Sequence, residues 1–231
     1  MRREKIKGRK RKLRRDAIYY EHLIFTVDLI SNSSKNFRQT KSYDILALIL
    51  LYVFGLRVSN LLILRQSHLH LIKEYFRRVS GGIKLPIIKS GKNPSKNVTF
   101  YPPYELGSLF EEFHEYVDDC HSADPKDFIF KNTQSGKPLN RSTFTNRLNK
   151  SLCRTGVFFD KVFTTHSFRI GFLSAIIQAE SGNLEAAKYL ANHSKVSTTT
   201  SLYNRKEYSS AEIQKLLKCA EAFRFNTLSD I

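Results

Sequence analysis

Arg169 lies in the stretch THSFRIGFLSAIIQA (165–179), which is apolar nearly all round after the arginine. A helix of that composition is buried, and a buried arginine requires an anionic partner. No Asp or Glu occurs between Asp160 and Glu180, so the partner is not local. Arg57 repeats the pattern in YVFGLRVSNLLIL. Arginine presents a planar fork of donors matched to phosphate and does not lose its proton. Two such forks in one apolar frame can clamp a single phosphate and stabilise the charge on its oxygens during transfer. His166, three residues before Arg169, adds a group suited to proton transfer. Each arginine taken alone is explained by a distant carboxylate or by snorkelling to the surface; the two together with the histidine favour the phosphate.

Phosphoryl transfer also needs a nucleophile. LANHSKVSTTTSLYNR (190–205) places His193 in a loop after Asn192, a helix C-cap, and then Tyr203 in a short capped helix. A tyrosine with a free pKa of ~10 attacks only beside a base or strong positive charge. Arginines and histidines sharing its pocket supply that charge. Between the two arginines, IIKSGKNPSKNV (87–98) offers Lys89, Lys92 and Lys96 at a turn.

The elements that must carry these residues are mostly helices. An amphipathic helix fits 16–31, a polar linker follows to 36, and SYDILALILLYVF (42–54) is a buried helix with Ser42 as N-cap and Gly55 as its end. Ser59 caps a short helix over 60–65. Residues 74–102 have strand character, with turn signals SGG and SGKNPS between apolar runs. Helices follow at 103–120, 140–156, 165–179, 183–191 and 210–225. The fold class is mainly α with a small antiparallel β-sheet (α+β). The last helix carries one apolar stripe, Ile213, Leu216, Leu217, Ala220 and Phe223.

The chain of 231 residues, 41% of them hydrophobic, suffices for one sizeable core. Its formal net charge of +17 is concentrated in residues 1–15, which hold ten Lys or Arg against one Glu. Such a block reads as a disordered arm that suits a polyanion, nucleic acid above all. The longest apolar run, 45–56, is too short to span a bilayer. Cys120, Cys153 and Cys219 form neither a CxxC pair nor a Cys/His cluster, which implies reduced thiols in an intracellular protein without a zinc site. The organisation is a basic arm (1–15), a short helix and linker (16–36) and a catalytic region (37–231).

The order Arg57, hairpin lysine, His166-x-x-Arg169, His193, Tyr203 resembles the tyrosine recombinase (phage integrase) family, over roughly residues 40 to 225. The resemblance implies a catalytic domain that cleaves and rejoins double-stranded DNA through a 3′-phosphotyrosyl intermediate on Tyr203. Arg57 and Arg169 would hold the non-bridging oxygens, His166 would transfer a proton, and His193 would donate to a phosphate oxygen. Lys89, favoured over Lys92 and Lys96, would protonate the leaving 5′-oxygen. It also implies no cofactor or metal, and a tetramer on paired DNA sites built by docking the last helix onto a neighbour. A mobile element of an organelle, a bacterium or a virus would suit the composition. Three features depart from the family pattern. Asn60 stands where an acidic residue is usual, the His193–Tyr203 interval is one residue longer, and the chain before residue 37 is shorter than the family's usual N-terminal DNA-binding domain. A type IB topoisomerase, or a non-catalytic basic nucleic-acid-binding protein, are the alternatives.

Overall fold

The computed structural model describes residues 15–34, 37–77, 82–88, 96–100, 102 and 104–179. Within them the chain is helical, apart from one two-stranded antiparallel sheet. The centre is α2 (Arg38–Phe54), in which every residue from Ser42 to Phe54 is buried. A run of ten apolar residues without Pro or Gly (45–54) makes a helix that can only be an interior one. Around it pack α1 (Tyr20–Ser31), α6 (His114–Asp119) and α8 (Thr165–Ala179).

α2 begins four residues earlier than Ser42, at Arg38 with Phe37 as N-cap. Ser42 lies inside the helix, where its hydroxyl donates to the Arg38 carbonyl (3.0 Å) and to Asp119 Oδ2 (2.8 Å). Tertiary bonding to α6 therefore takes the hydroxyl expected to cap α2. Likewise Arg57, not Ser59, occupies the N-cap of α3 (Val58–Leu61). A further helix, α4 (Gln66–Arg77), takes up the first residues read as strand. Leu69, Ile72 and Tyr75 recur on its buried face at helical spacing. β1 (Ile83–Ile87) then pairs with β2 (Lys96–Phe100), Ile83 opposite Phe100 and Ile87 opposite Lys96. Ile83, Leu85 and Ile87 face the core. The helical stretch at 103–120 is a 3-10 turn followed by α5 (Gly107–Glu112) and α6, broken at Phe113.

α7 (Arg141–Phe158) is capped by Asn140, whose side chain accepts from the Thr143 amide. Its Arg147 reaches the buried Asp44 of α2, Nε lying 2.9 Å from both carboxylate oxygens. Burial raises the Asp44 pKa, and Arg147 opposes that rise. α1 joins the same core. Thr26 and Thr155 share a hydrogen bond of 2.8 Å, and His22 packs between Phe159 and Phe163. Cys120 is buried and Cys153 exposed, both as free thiols. Among the described residues, no helix is long and apolar enough to cross a membrane.

His22 gives the fold a pH dependence. Its Nδ1 accepts from the Tyr19 amide, and burial, then the Lys161 charge, lower its pKa to about 4. The unfolded chain therefore binds an extra proton between about pH 4 and 6.5. Stability should fall as pH drops through that window, by up to about 3 kcal/mol from this group. Urea titrations at pH 7 and pH 4.5 should show a smaller difference for His22→Asn than for the parent; an equal difference would show that His22 does not titrate this way.

Candidate active site

The site is assembled at the end of α2. Gly55 terminates that helix in the left-handed conformation (φ 58°, ψ 27°), its amide donating to the Leu51 carbonyl. Glycine adopts this conformation without the Cβ penalty. A Cβ here would also lie 2.6 Å from the ring of Phe172 on α8. The absent side chain thus lets α8 lie directly on the helix end. From α8, Arg169 Nη1 donates to the Gly55 carbonyl at 2.7 Å. Two residues on, Arg57 takes an extended conformation, and its carbonyl accepts the amides of Asn60 and Leu61 at the start of α3. The glycine turn therefore sets Arg57 two residues from the carbonyl that anchors Arg169.

The N-terminus of α8 is held from three directions. Thr164 and Ser167 cap it reciprocally: the Thr164 amide donates to Ser167 Oγ (3.1 Å), and the Ser167 amide to the Thr164 carbonyl (2.8 Å). From α7, Asn149 Oδ1 accepts the Thr165 amide at 2.8 Å. The Ile18 amide donates to the Ser167 carbonyl at 3.3 Å.

These constraints gather three of the expected residues. Arg169 is only 6% exposed, Arg57 is half-buried and His166 is exposed. Burial, followed by the neighbouring charge of Arg57, lowers the Arg169 pKa to about 10, which leaves it charged at neutral pH. Desolvation, then the charges of Arg15, Arg169 and Arg57, lower the His166 pKa below its ordinary value. Among the described residues, no carboxylate forms an ion pair with Arg57. The cluster is a concentration of positive charge that an anion would relieve. Lys89, His193 and Tyr203 lie outside the described residues.

Asn60 also belongs to this frame. It is buried, and its Oδ1 accepts the amide of Ile88, the residue after β1, at 3.1 Å. The departure from an acidic residue keeps an acceptor at this position. The amide oxygen ties the approach to Lys89 to the turn that carries Arg57. Gly55 and Asn149, which the residue pattern did not single out for the site, are equally important to its geometry. Gly55 stood out in sequence only as a helix stop, and Asn149 gave no signal.

Gly55→Ala should cost about 1–2 kcal/mol from left-handed strain alone, and more as Cβ displaces the Phe172 ring. Denaturant unfolding measures the total, and Phe172→Leu in the same chain should recover only the steric part. A Gly55→Ala protein as stable as the parent would contradict this account of the joint.

Comparison with known proteins meets this geometry from outside. The profile of the phage integrase family matches residues 26–210. The chain is similar to the tyrosine recombinase XerD of Halalkalibacterium halodurans, 31% identical over 151 residues, covering 65% of this chain and 45% of that protein. It is also similar to a tyrosine recombinase of Agathobacter rectalis, 24% identical over 181 residues, covering 78% of this chain and 54% of that one. The chain thus spans about half the length of the curated relatives it matches. Among solved structures, XerA recombinase superposes with TM-score 0.50 at 16% identity, covering 92% of this chain and 65% of that one. XerH recombinase, bound to a palindromic difH substrate in a post-cleavage complex, gives 0.51 at 14% identity, with coverage of 93% and 52%. At those identities the structural likeness establishes the fold. With the family profile across most of the chain, it follows that this protein belongs to the phage integrase family, the tyrosine recombinases.

Proposed function

We propose that this chain cleaves and rejoins double-stranded DNA at a specific site, by attack of the Tyr203 hydroxyl on a phosphodiester to give a 3′-phosphotyrosyl link. The observation that carries the reading is Arg169, buried and charged beside Arg57, on the family's His-x-x-Arg segment. Arg57 and Arg169 bind the two non-bridging oxygens. Arg169 is anchored through Nη1 on the Gly55 carbonyl, so little reorganisation of that side chain opposes the transition state. His166, its pKa held below the ordinary value by desolvation and then by the surrounding cations, is largely neutral near pH 7 and can accept or relay a proton. His193 donates to a phosphate oxygen, and Lys89 protonates the departing 5′-oxygen. The bond energy is kept in the phosphotyrosine. A 5′-hydroxyl from a partner strand therefore reverses the step, expelling Tyr203 and closing the DNA.

The same reading extends to assembly. A dimer on DNA is known for lambda integrase, a neighbour in fold with TM-score 0.50 at 18% identity. For this chain we infer a tetramer on two DNA sites, with the stripe from Ile213 to Phe223 docking on the next subunit. The net charge of +17 and the basic run at residues 1–15 favour the polyanionic substrate.

Covalent capture from a random pool tests the chemistry whatever the target sequence. The protein is incubated with a randomised duplex library containing nicks, and DNA resistant to release by detergent is recovered and sequenced. One sequence family should be enriched, and Tyr203→Phe should capture none while still binding DNA. Arg169→Ala should reduce the cleavage rate by ~10²–10³-fold. An adduct that persists in the Phe protein would remove Tyr203 from its role.

A further inference from the structure

Arg15 is the last residue of the basic run, and the residues that follow it are fixed beside the site just described. The residues after it lie along the N-terminal part of α8. The Asp16 amide donates to the Val162 carbonyl at 3.0 Å, and the Val162 amide donates back to Asp16 Oδ2 at 2.8 Å. Ile18 is fully buried, and its amide donates to Ser167. Gly171 makes this possible, because a Cβ there would collide with the Ile18 carbonyl. These contacts bracket His166 and fix the backbone on the C-terminal side of Arg15.

Arg15 itself is exposed and, among the described residues, has no ion-pair partner. The Asp16 carboxylate beside it is taken by the Val162 amide. Arg15 adds to the positive charge felt by His166. It is the strongest charge acting on His166, ahead of Arg169 and Arg57. Arg57, by contrast, is the charge acting on Arg169. The pairing of Asp16 with Val162 and of Ile18 with Ser167 sets Arg15 beside the segment that carries His166.

We propose that Arg15 is a DNA-phosphate contact on the His166 side of the cleft, engaging a backbone phosphate beside the one held by Arg57 and Arg169. This rests on the DNA-cleavage reading above. The pairing of Asp16 and Ile18 with the residues around His166 couples that contact to the position of α8.

The test uses the full chain, a fluorescent 30-base-pair duplex of arbitrary sequence, and Arg15→Gln and Arg15→Lys proteins. Affinity is measured from 50 to 300 mM salt, and the His166 ring is titrated by NMR. Arg15→Gln should flatten the slope of log affinity against log salt by ~0.9, the loss expected for one phosphate contact, and Arg15→Lys should keep it. The His166 pKa should rise in Arg15→Gln as the nearby charge is removed. An unchanged slope in Arg15→Gln overturns the proposal, even if the His166 titration moves. These measurements need neither cleavage nor the cognate site. A parent protein that binds the duplex with a salt-independent affinity would count against the DNA reading itself, whereas a parent slope that Arg15→Gln leaves intact would count against Arg15 alone.

Discussion

The architecture turns on one glycine. At Gly55 the interior helix α2 stops in a left-handed turn, the Phe172 ring occupies the space a side chain would take, and the Gly55 carbonyl receives Arg169. The hydrogen bond offsets part of the cost of burying a guanidinium. It also fixes the distance between the two segments that carry the cations. A residue with a Cβ would strain the turn and push α8 away at once, so helix termination and site assembly are one constraint.

Around that joint the fold concentrates positive charge, from the buried Arg169 to the half-buried Arg57 and the exposed His166. Arg169 is desolvated and repelled by Arg57, and His166 is held toward its neutral form by desolvation and then by three arginines. Such an arrangement opposes folding through the repulsion between its cations. The surrounding structure holds it in place through the buried face of α2, the Asp44–Arg147 bridge from α2 to α7, and the three-way hold on the start of α8. On the reading proposed above, a phosphate bound here would replace that repulsion by attraction.

Several elements were legible in the chain because a single physical signal dominated them. The interior helix announced itself by ten successive apolar residues, its end by a glycine, and the β-hairpin by apolar runs separated by Gly-rich turns. Elsewhere local signals misled. Ser42 has the chemistry of an N-cap, but Asp119, 77 residues away in sequence, takes its hydroxyl into a helix that had already begun. Glu74 to Arg77 read as strand through their aromatic residues, whereas Tyr75 serves the buried face of α4 and hydrogen-bonds the Pro102 carbonyl at 2.7 Å.

The sequence by itself determined that two arginines were surrounded by apolar neighbours with no local carboxylate, that a histidine stood three residues before one of them, and that a tyrosine and a second histidine followed in a recognisable order. Those facts concern composition and spacing, which need no coordinates. Only the tertiary structure decided that Arg57 and Arg169 meet, since their encounter depends on a glycine carbonyl 114 residues from the arginine that binds it. The same holds for Asn60, which accepts the Ile88 amide and so supports the hairpin. It holds too for Asp16 and Ile18, which follow the basic run in sequence but pair with the residues on either side of His166. Such pairings join residues far apart in the chain, and no local pattern encodes which distant group will satisfy a buried donor or acceptor.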